Sequence, residues 1–485
     1  MMDRALYEKI SDWFDAHSEE MVNDISRLVR IGSVSNPEAE EKPFGAECRR
    51  CLEEMLKIGE EHGFHTENYE YYVGSIGAEE KNWNNMIGFW NHMDVVPVGN
   101  DWDYEPFSPV RKGHFLIGRG AQDNKGPAVG ILYMMQCLRE LQIPMKHELC
   151  LFVGCDEERG MSDLDYYLRH YPAPQLSMIA DSGFPVCYGE KGIIEGRMIT
   201  KETLPEGLLE LGGGSASNMI PDSAYAVFAF TPELETEVQQ RLEKESGESK
   251  CSMQTTEQGI CITAHGTSKH SAFPEGSRNA IHELGKFAAS LVHIDGKLRA
   301  LFETIAYLSE EYYGKNFDME YSDEVSGKTT CAATILKKAE NHIALHFNIR
   351  YAITDRAEKI CRKLEECASR FSMCWELERD SAPNYFPREH PAVNMLTGLY
   401  NEVTGEHRES FVMGGGTYAR KLPRAFAYGI GGMRESEEDI RVKKELFREG
   451  HGGAHEPDEG LNLRLLLKAM KIYTLSVIAM NDCDL

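Results

Sequence analysis

Segments with the periodicity of strands alternate with segments with the periodicity of helices over the first 185 residues of the chain. Apolar runs at 86–90, 148–154 and 178–180 predict strands. Predicted helices cover 3–31, 44–59, 126–141 and 163–170. Because each helix returns the chain to the same edge, this order predicts an α/β fold with a mainly parallel sheet.

The texture changes near residue 189 to strands and turns. Predicted strands cover 207–211, 224–230, 259–264, 329–336 and 342–351, and predicted helices cover 233–246 and 279–313. At 485 residues the chain exceeds what one core usually holds. We therefore predict a catalytic domain in two parts, 1–188 and 385–485, with an inserted α+β lid domain at 189–384. Helices are predicted at 392–404 and 462–481, and the charge run at 434–439 predicts a solvated loop.

Composition excludes several classes of partner. The chain has 52 Lys+Arg against 78 Asp+Glu and a net charge of −26, which opposes binding to nucleic acid or to an anionic membrane. Its 13 cysteines are irregularly spaced, and no apolar run is long enough to span a bilayer. Cys48 and Cys51 form a C-x-x-C pattern, but they share a helical spacing with other apolar residues, so we interpret them as packing thiols. A reduced, cytoplasmic protein is the expectation.

Metal-seeking side chains follow the predicted strands of the first part. His92 comes after the first strand, Glu157-Glu158 after the second, and Asp181 after the third. Because the carboxyl ends of parallel strands share one edge, these groups should lie together. An isolated His-x-Asp is common, and a Glu-Glu pair usually marks a solvated helix end, so the prediction depends on the whole set. Imidazole and carboxylate together suit Zn²⁺ or Mn²⁺. The candidates are His92, Asp94, Asp123, Glu157, Glu158, Asp181 and His455.

These residues and their order carry a resemblance that covers nearly the whole chain. The set resembles the two-metal metallopeptidases that include aminoacylase and glutamate carboxypeptidases, and most closely the peptidase V branch of carnosinase-like, Xaa-His dipeptidases. The likeness extends to Gly189-Glu190-Lys191-Gly192, Asn218-Met219-Ile220-Pro221-Asp222, Lys269-His270-Ser271-Ala272-Phe273-Pro274, Asn348-Ile349-Arg350-Tyr351 and Gly414-Gly415-Gly416-Thr417-Tyr418.

The resemblance implies two divalent metal ions, zinc or manganese. Asp123 would bridge them, His92 and Asp181 would complete one ion's ligands, and Glu158 and His455 the other's.

It also implies the catalytic roles. Glu157 would be the general base toward a metal-bound hydroxide, and Asp94 would fix the tautomer of His92. His270 would stabilise the oxyanion, although His265 is a competing candidate five residues earlier.

The substrate contacts follow from the same resemblance. Arg350, with Asn218, would hold the substrate carboxylate, and Gly415, Gly416 and Thr417 would contact the substrate backbone. Arg350 could instead make a surface ion pair, and the glycine-rich turn could serve backbone geometry alone.

Two positions depart from the family pattern. Asn91 stands where the family usually has glycine, and Asn124 stands where it usually has aspartate. Neither change removes a ligand. The resemblance also implies a cis peptide bond between Asp123 and Asn124.

The function predicted is that of a cytoplasmic dipeptidase acting on unblocked dipeptides as a monomer. The alternatives are an N-acyl amino acid deacylase of the same fold and a metal-dependent peptide-binding protein without turnover. Small peptides are the expected partners.

Overall fold

The computed structural model describes residues 3–244, 250–257 and 259–485. The chain forms two compact units. The first unit comprises Met1–Gly189, Tyr385–Phe411 and Gly416–Leu485, and the second comprises Glu190–Asn384 and Val412–Gly415. Within the described residues, no helix is both long enough and apolar enough to cross a membrane.

The helices, in chain order, are α1 Arg4–Val29, α2 Ala46–Glu61, α3 Gly126–Glu140, α4 Ser162–His170, α5 Pro232–Lys244, α6 Ala280–Ala289, α7 Gly296–Leu308, α8 Ala357–Arg370, α9 Pro391–Thr404, α10 Glu437–Leu446 and α11 Leu463–Ala479. The strands are β1 His65–Tyr69, β2 Val73–Gly77, β3 Met86–His92, β4 Val110–Lys112, β5 Phe115–Ile117, β6 Glu148–Gly154, β7 Leu176–Ile179, β8 Ser182–Gly183, β9 Val186–Glu190, β10 Gly192–Thr200, β11 Leu208–Gly213, β12 Ser223–Phe228, β13 Cys251–Thr255, β14 Ile260–His265, β15 Ser322–Asp323, β16 Gly327–Lys328, β17 Thr330–Ala339, β18 His342–Tyr351, β19 Met373–Ser381, β20 Asn384–Tyr385, β21 Phe411–Met413, β22 Ala425–Tyr428, β23 Ile430–Gly431 and β24 Gly460–Asn462.

The first unit is built on a mixed sheet. Its central strands β6, β3, β7 and β22 run parallel, whereas β1 and β2 on one side and β9 on the other are antiparallel. Phe89 of β3 lies opposite Leu151 of β6 and Met178 of β7, and all three are fully buried. The predicted α/β class is confirmed, with parallel pairing confined to the centre of the sheet. β1 and β2 are not among the predicted strands.

Helix α3 is buried from Gly126 to Leu138, which explains why its sequence is apolar on every face. A Cβ at Gly130 would lie 2.6 Å from the sulfur of Met470 on α11. The small residue therefore lets α3 and α11 pack closely behind the sheet. Cys48 and Cys51 are buried in α2, as their helical spacing predicts.

The second unit is an antiparallel sheet with helices. The strand order is β13-β14-β12-β11-β17-β18-β10-β19. One core cluster joins the inward faces of these strands to helices α5, α6, α7 and α8. Helix α5 agrees with the helix predicted at 233–246 as far as Lys244, and the last two predicted residues lie outside the described part of the chain.

The prediction of a single helix at 279–313 is wrong. The structure has α6 and α7 instead, separated at residues 290–295. The carboxylate of Glu237 on α5 accepts the backbone N–H groups of Val292 and His293 at 2.9–3.0 Å, and Asp295 caps α7. A partner from elsewhere in the chain therefore captures the donors that a continuous helix would have used.

The charge run at 434–439 is a solvated loop only as far as residue 436, because α10 begins at Glu437. Ser436 and Asp439 form a reciprocal capping box that begins α10, and Asp439 is buried beside His114, at 2.8 Å. The Ser-x-x-Asp spacing is the sequence signal that would have indicated a helix start. Val442 and Leu446 of α10 pack against Phe447 and its apolar neighbours.

Candidate metal centre

Parallel strand ends bring the candidate ligands of the first unit together. His92 is the last residue of β3, while Glu158 and Asp181 follow β6 and β7 at the same edge. Asp123 lies in the short turn before α3, and His455 comes from the loop before β24. The peptide bond between Asp123 and Asn124 is cis, as the resemblance implies.

The ligand atoms form two groups that share one carboxylate. Nε2 of His92 lies 3.0 Å from Oδ1 of Asp123 and 3.6 Å from Oδ2 of Asp181. Nε2 of His455 lies 3.1 Å from Oδ2 of Asp123 and 3.0 Å from Oε1 of Glu158. Within each group the ligand atoms lie within 4.8 Å of one another. Asp123 therefore offers one oxygen to each group.

The electrostatics of the cluster fit divalent cations. Hydrogen bonds to Asp123 and Glu158 raise the pKa of His455 to about 11. Burial lowers the pKa of His92, but hydrogen bonds to Asp123 and other carboxylates outweigh burial and hold the pKa well above its usual value. Each imidazole is thus stabilised in its protonated form. A divalent ion would supply the same positive charge on displacing those protons, and its binding should release them.

Glu157 is buried within reach of this charge cluster. Its side chain is 8% exposed, and its Oε1 has no hydrogen-bond partner among the described residues. Burial raises the pKa of Glu157 well above its usual value; the nearby Asp181 and Glu158 raise it further, and His92 opposes them. A buried carboxylate oxygen without a partner is costly, which is consistent with an acceptor reserved for a ligand or a reacting group.

Asp94 contacts the backbone of both glutamates and the ring of His92. Its carboxylate oxygens accept the backbone N–H groups of Glu157 and Glu158, each at 3.1 Å. Nδ1 of His92 lies 2.9 Å from the backbone carbonyl of Asp94 and 3.4 Å from its carboxylate. Asp94 therefore contacts the His92 ring and also fixes the segment that carries the two glutamates.

Asp163 holds the start of that same segment. Its Oδ2 accepts the backbone N–H groups of Cys155 at 2.8 Å and Asp156 at 2.9 Å, and the hydroxyl of Tyr418 donates to the same oxygen. A Cβ at Gly154 would clash with both side chains, so the strand must end in glycine there. Cys155, which could be mistaken for a metal ligand, points instead toward the backbone carbonyl of Cys48.

Glu459 supports the turn that carries Asp123, and the sequence interpretation assigns it no role. Its carboxylate accepts the backbone N–H groups of Gly120, Gln122 and Asp123 at 2.8–3.0 Å and pairs with Arg119 at 2.8 Å. Glu459 is fully buried. It therefore fixes the turn that presents the shared aspartate. Its position four residues after His455 is the only sequence signal that indicates such a role.

The backbone of His455 adopts φ 65°, a left-handed conformation that a non-glycine residue rarely takes. Its loop is held by Asp458, whose carboxylate accepts N–H groups of Asp103 and Tyr104 and contacts His451 at 2.6 Å. Asp103, His451 and Asp458 have metal-ligand spacing. These contacts, with the Arg448–Asp103 ion pair at 2.9 Å, give the group a structural role under the loop.

The two departures from the family pattern contact each other. The amide of Asn91 donates to Oδ1 of Asn124, which also accepts the backbone N–H of His92 at 3.4 Å. The amide of Asn124 donates to Ala180 at 3.0 Å and to Oδ1 of Asp181 at 2.9 Å. Asn124 thus uses both donors and both acceptor sites, and it orients the carboxylate of Asp181, a candidate ligand.

The remaining predicted residues divide between the units. His270, Asn218, Arg350 and Gly415 lie in the second unit, whereas Gly416 and Thr417 lie in the first. Within the second unit, Met219 and His270 form an antiparallel bridge, and the backbone carbonyl of Asn218 accepts from Ser271. Thr417 caps the short helical turn Tyr418–Arg420. His265, the competing histidine, is exposed and bonds Ser252 at 3.1 Å.

The site combines one histidine and two carboxylates from the strand ends with a second histidine from a loop, all around one shared aspartate. This arrangement on a mixed α/β sheet is that of a metallohydrolase. Residues 88–479 match the sequence model of Peptidase family M20/M25/M40, and the chain belongs to this family of metallopeptidases.

Sequence relatives align with nearly the whole chain. A Bacillus subtilis (strain 168) protein named "Putative dipeptidase YtjP" is 28% identical over 469 residues, covering 95% of this chain and 96% of that protein. A Staphylococcus epidermidis protein named "Putative dipeptidase" is 28% identical over 476 residues, covering 96% and 97%.

Solved structures share the fold at low identity. The dipeptidase Dug1p from Saccharomyces cerevisiae aligns with a TM-score of 0.58 at 13% identity, covering 99% of each chain. Human carnosine dipeptidase 1 aligns with a TM-score of 0.55 at 14% identity, covering 98% of this chain and 100% of that chain. Aminoacylhistidine dipeptidase from Vibrio alginolyticus aligns with a TM-score of 0.56 at 15% identity, covering 95% of this chain and 96% of that chain.

Proposed function

We propose that the chain is a dipeptidase that hydrolyses unblocked dipeptides with two divalent metal ions, zinc or manganese. The observation that carries the proposal is the pair of ligand groups that share Asp123, with the buried carboxylate of Glu157 close to them. The names of the sequence relatives support a short peptide as the substrate.

His92, Asp123 and Asp181 would hold one ion, and Asp123, Glu158 and His455 the other. Bound there, the ions would polarise the scissile carbonyl and lower the pKa of a water ligand.

Glu157 is the proposed general base. Its unpartnered Oε1 can accept a proton from the attacking water and deliver it to the amine nitrogen as the C–N bond breaks. Asp94 and Asp163 position it, because both bind the backbone of residues 155–158.

His270 is proposed to stabilise the oxyanion. Its Nδ1 accepts the backbone N–H of Ala272 at 3.1 Å, so the ring hydrogen of the neutral form lies on Nε2. Burial, together with the charge of Arg350, lowers the pKa of His270 and favours that neutral form. An N–H donor of this kind contributes about 3–4 kcal/mol where negative charge develops.

Arg350, with Asn218, is proposed to bind the substrate's terminal carboxylate, and residues 415–417 its backbone. Nε of Arg350 donates to Asn348 at 2.8 Å, and Nη1 donates to the carbonyl of Gly414 at 3.0 Å. These bonds fix the plane of the guanidinium group, which suits two-pronged binding of a carboxylate.

The test is a substrate panel assayed with added Zn²⁺ or Mn²⁺. We expect release of amino acids from Ala-Ala and other unblocked dipeptides, with N-acetyl amino acids hydrolysed at least about tenfold more slowly. Faster hydrolysis of the N-acetyl amino acids would make the chain a deacylase. Failure to hydrolyse any member, with both ions bound, would make it a binding protein without turnover.

A further inference from the structure

A cavity of about 590 Å³ opens beside the metal centre within the first unit. Asp123 and Asp181 line it, so the space is continuous with the group of ligands around His92. Its volume lies in the range typical of sites for small organic ligands. The function proposed above assigns no role to this space.

The walls of the cavity combine an apolar part with polar and charged residues. They come from the turn before α3, the residues that follow β22, helix α10 and the start of α11. The apolar side chains that carry the argument are Phe115, Met433, Ile440, Leu461, Leu465 and Leu466. The wall also carries Arg434, Glu435 and Lys443, and Lys443 lies 3.7 Å from Glu435, so these two charges partly balance each other.

Ile440 is the most informative wall residue. It is 41% exposed, although Val442 and Leu446 of the same helix are packed against the Phe447 cluster. Helix α10 is fixed by its capping box and by the contact between Asp439 and His114. The helix therefore presents an isoleucine to the cavity in a fixed position, and an apolar group entering the cavity would remove that surface from water.

The residues that line the cavity indicate which end of a dipeptide lies there. All of them belong to the first unit, whereas Arg350, proposed above to bind the substrate's terminal carboxylate, belongs to the second unit. The amino-terminal residue of an unblocked dipeptide therefore belongs on this side of the site.

We infer that this cavity binds the side chain of the amino-terminal residue of the substrate and selects large apolar side chains. The inference rests on the proposed dipeptidase function and adds its specificity. Helix α10 is then a specificity element, and Ile440 is a residue that contacts substrate.

The first experiment compares two series of dipeptides with the metal-loaded wild-type enzyme. We expect kcat/KM for Leu-Ala and Phe-Ala to exceed that for Gly-Ala by at least about tenfold. Ala-Leu and Ala-Phe should show a smaller preference over Ala-Gly. A preference confined to the second series, or a preference for Asp-Ala and Glu-Ala over Leu-Ala, would overturn the inference.

The second experiment changes the wall. Ile440→Asp places a carboxylate where the apolar side chain would lie, and it should lower kcat/KM for Phe-Ala at least about tenfold more than for Ala-Ala. Ile440→Leu should keep the wild-type preference. Leu377→Asp, which makes a similar change at a residue 50% exposed in the second unit, is the matched control and should leave the ratio unchanged. An equal loss for both substrates in Ile440→Asp would contradict the assignment.

A binding measurement separates this inference from the proposed function. With Glu157→Gln as background, calorimetry should show that Ile440→Asp weakens binding of Phe-Ala but not of Ala-Ala, at unchanged metal content. If wild-type protein hydrolyses no dipeptide, the proposed function fails. If it hydrolyses Ala-Ala and Phe-Ala equally well and Ile440→Asp changes neither the rates nor the binding, only the specificity inference fails.

Discussion

At the scale of single residues, Asn124 shows how one side chain orients another that is proposed to bind metal. Its amide donates to Asp181 and Ala180, while its oxygen accepts from Asn91 and the backbone of His92. The sequence shows both asparagines as departures from the family pattern. It does not show that they touch, because 33 residues separate them.

We predict that Asn124→Asp destabilises the protein without added metal. The change replaces two donors with an acceptor that faces the Asp181 carboxylate and the Ala180 carbonyl, which should cost about 1–3 kcal/mol of unfolding free energy. Urea denaturation measures this quantity. Gln122→Glu makes the same change of an amide to an acid on an exposed side chain and serves as the control. An unchanged midpoint for Asn124→Asp would contradict the hydrogen-bond assignment.

At the scale of elements, the segment between β6 and α4 carries Glu157 and Glu158 at the edge of the sheet. Asp94 and Asp163 hold its backbone from two sides, so that Glu157 and Glu158 extend from a fixed loop. The strand and the helix could be predicted because their periodicity is local. The anchoring of the loop could not, because Asp94 lies in a distant part of the sequence, just after β3.

Asp163 should also make stability depend on pH. Burial, and then the charge of Asp94, raises the pKa of Asp163 to about 7, above the value of about 3.9 expected in the unfolded chain. A group whose pKa rises on folding stabilises the fold most below its unfolded pKa, and that contribution is lost as pH rises through 7. Relative to Asp163→Asn, the wild type should therefore lose about 2–4 kcal/mol between pH 4 and pH 7.

Chemical denaturation at several pH values, without added metal, tests this prediction. Asp165→Asn makes the same substitution at an exposed position of α4 and is the matched control. A difference between wild type and Asp163→Asn that stays constant from pH 4 to pH 7 would be inconsistent with the buried, charge-coupled carboxyl.

Helix α10 marks the limit of prediction for elements. A run of charged residues suggests a solvated loop, yet buried Asp439 and its capping partner start a helix there. The long helix predicted at 279–313 fails for a related reason, since Glu237 captures backbone donors from a distant element. In both places a single carboxylate that binds backbone N–H groups decides the local structure.

At the scale of the whole molecule, periodicity predicts the α/β class, and the ends of the predicted strands identify His92, Glu158 and Asp181 near Asp123. The role of His455, which comes from a loop, depends on the family resemblance. The supports of the centre could not be predicted in the same way. Glu459 contacts the turn at residues 120–123, more than 330 positions earlier in the sequence. No local sequence pattern predicts that contact. The cavity beside α10 could not be predicted either, because the charge run is interpreted as a loop and not as the start of that helix.

We propose separate roles for neighbouring residues: the ligands hold the metal ions, and Glu157 transfers the proton. The most direct measurement is metal content and kcat, on the same preparations, for Glu157→Gln and His455→Ala. We predict that Glu157→Gln keeps the wild-type metal content and loses at least about 100-fold in kcat, whereas His455→Ala loses bound metal. Equal metal loss in the two variants, or a Glu157→Gln enzyme with near wild-type kcat, would contradict this account.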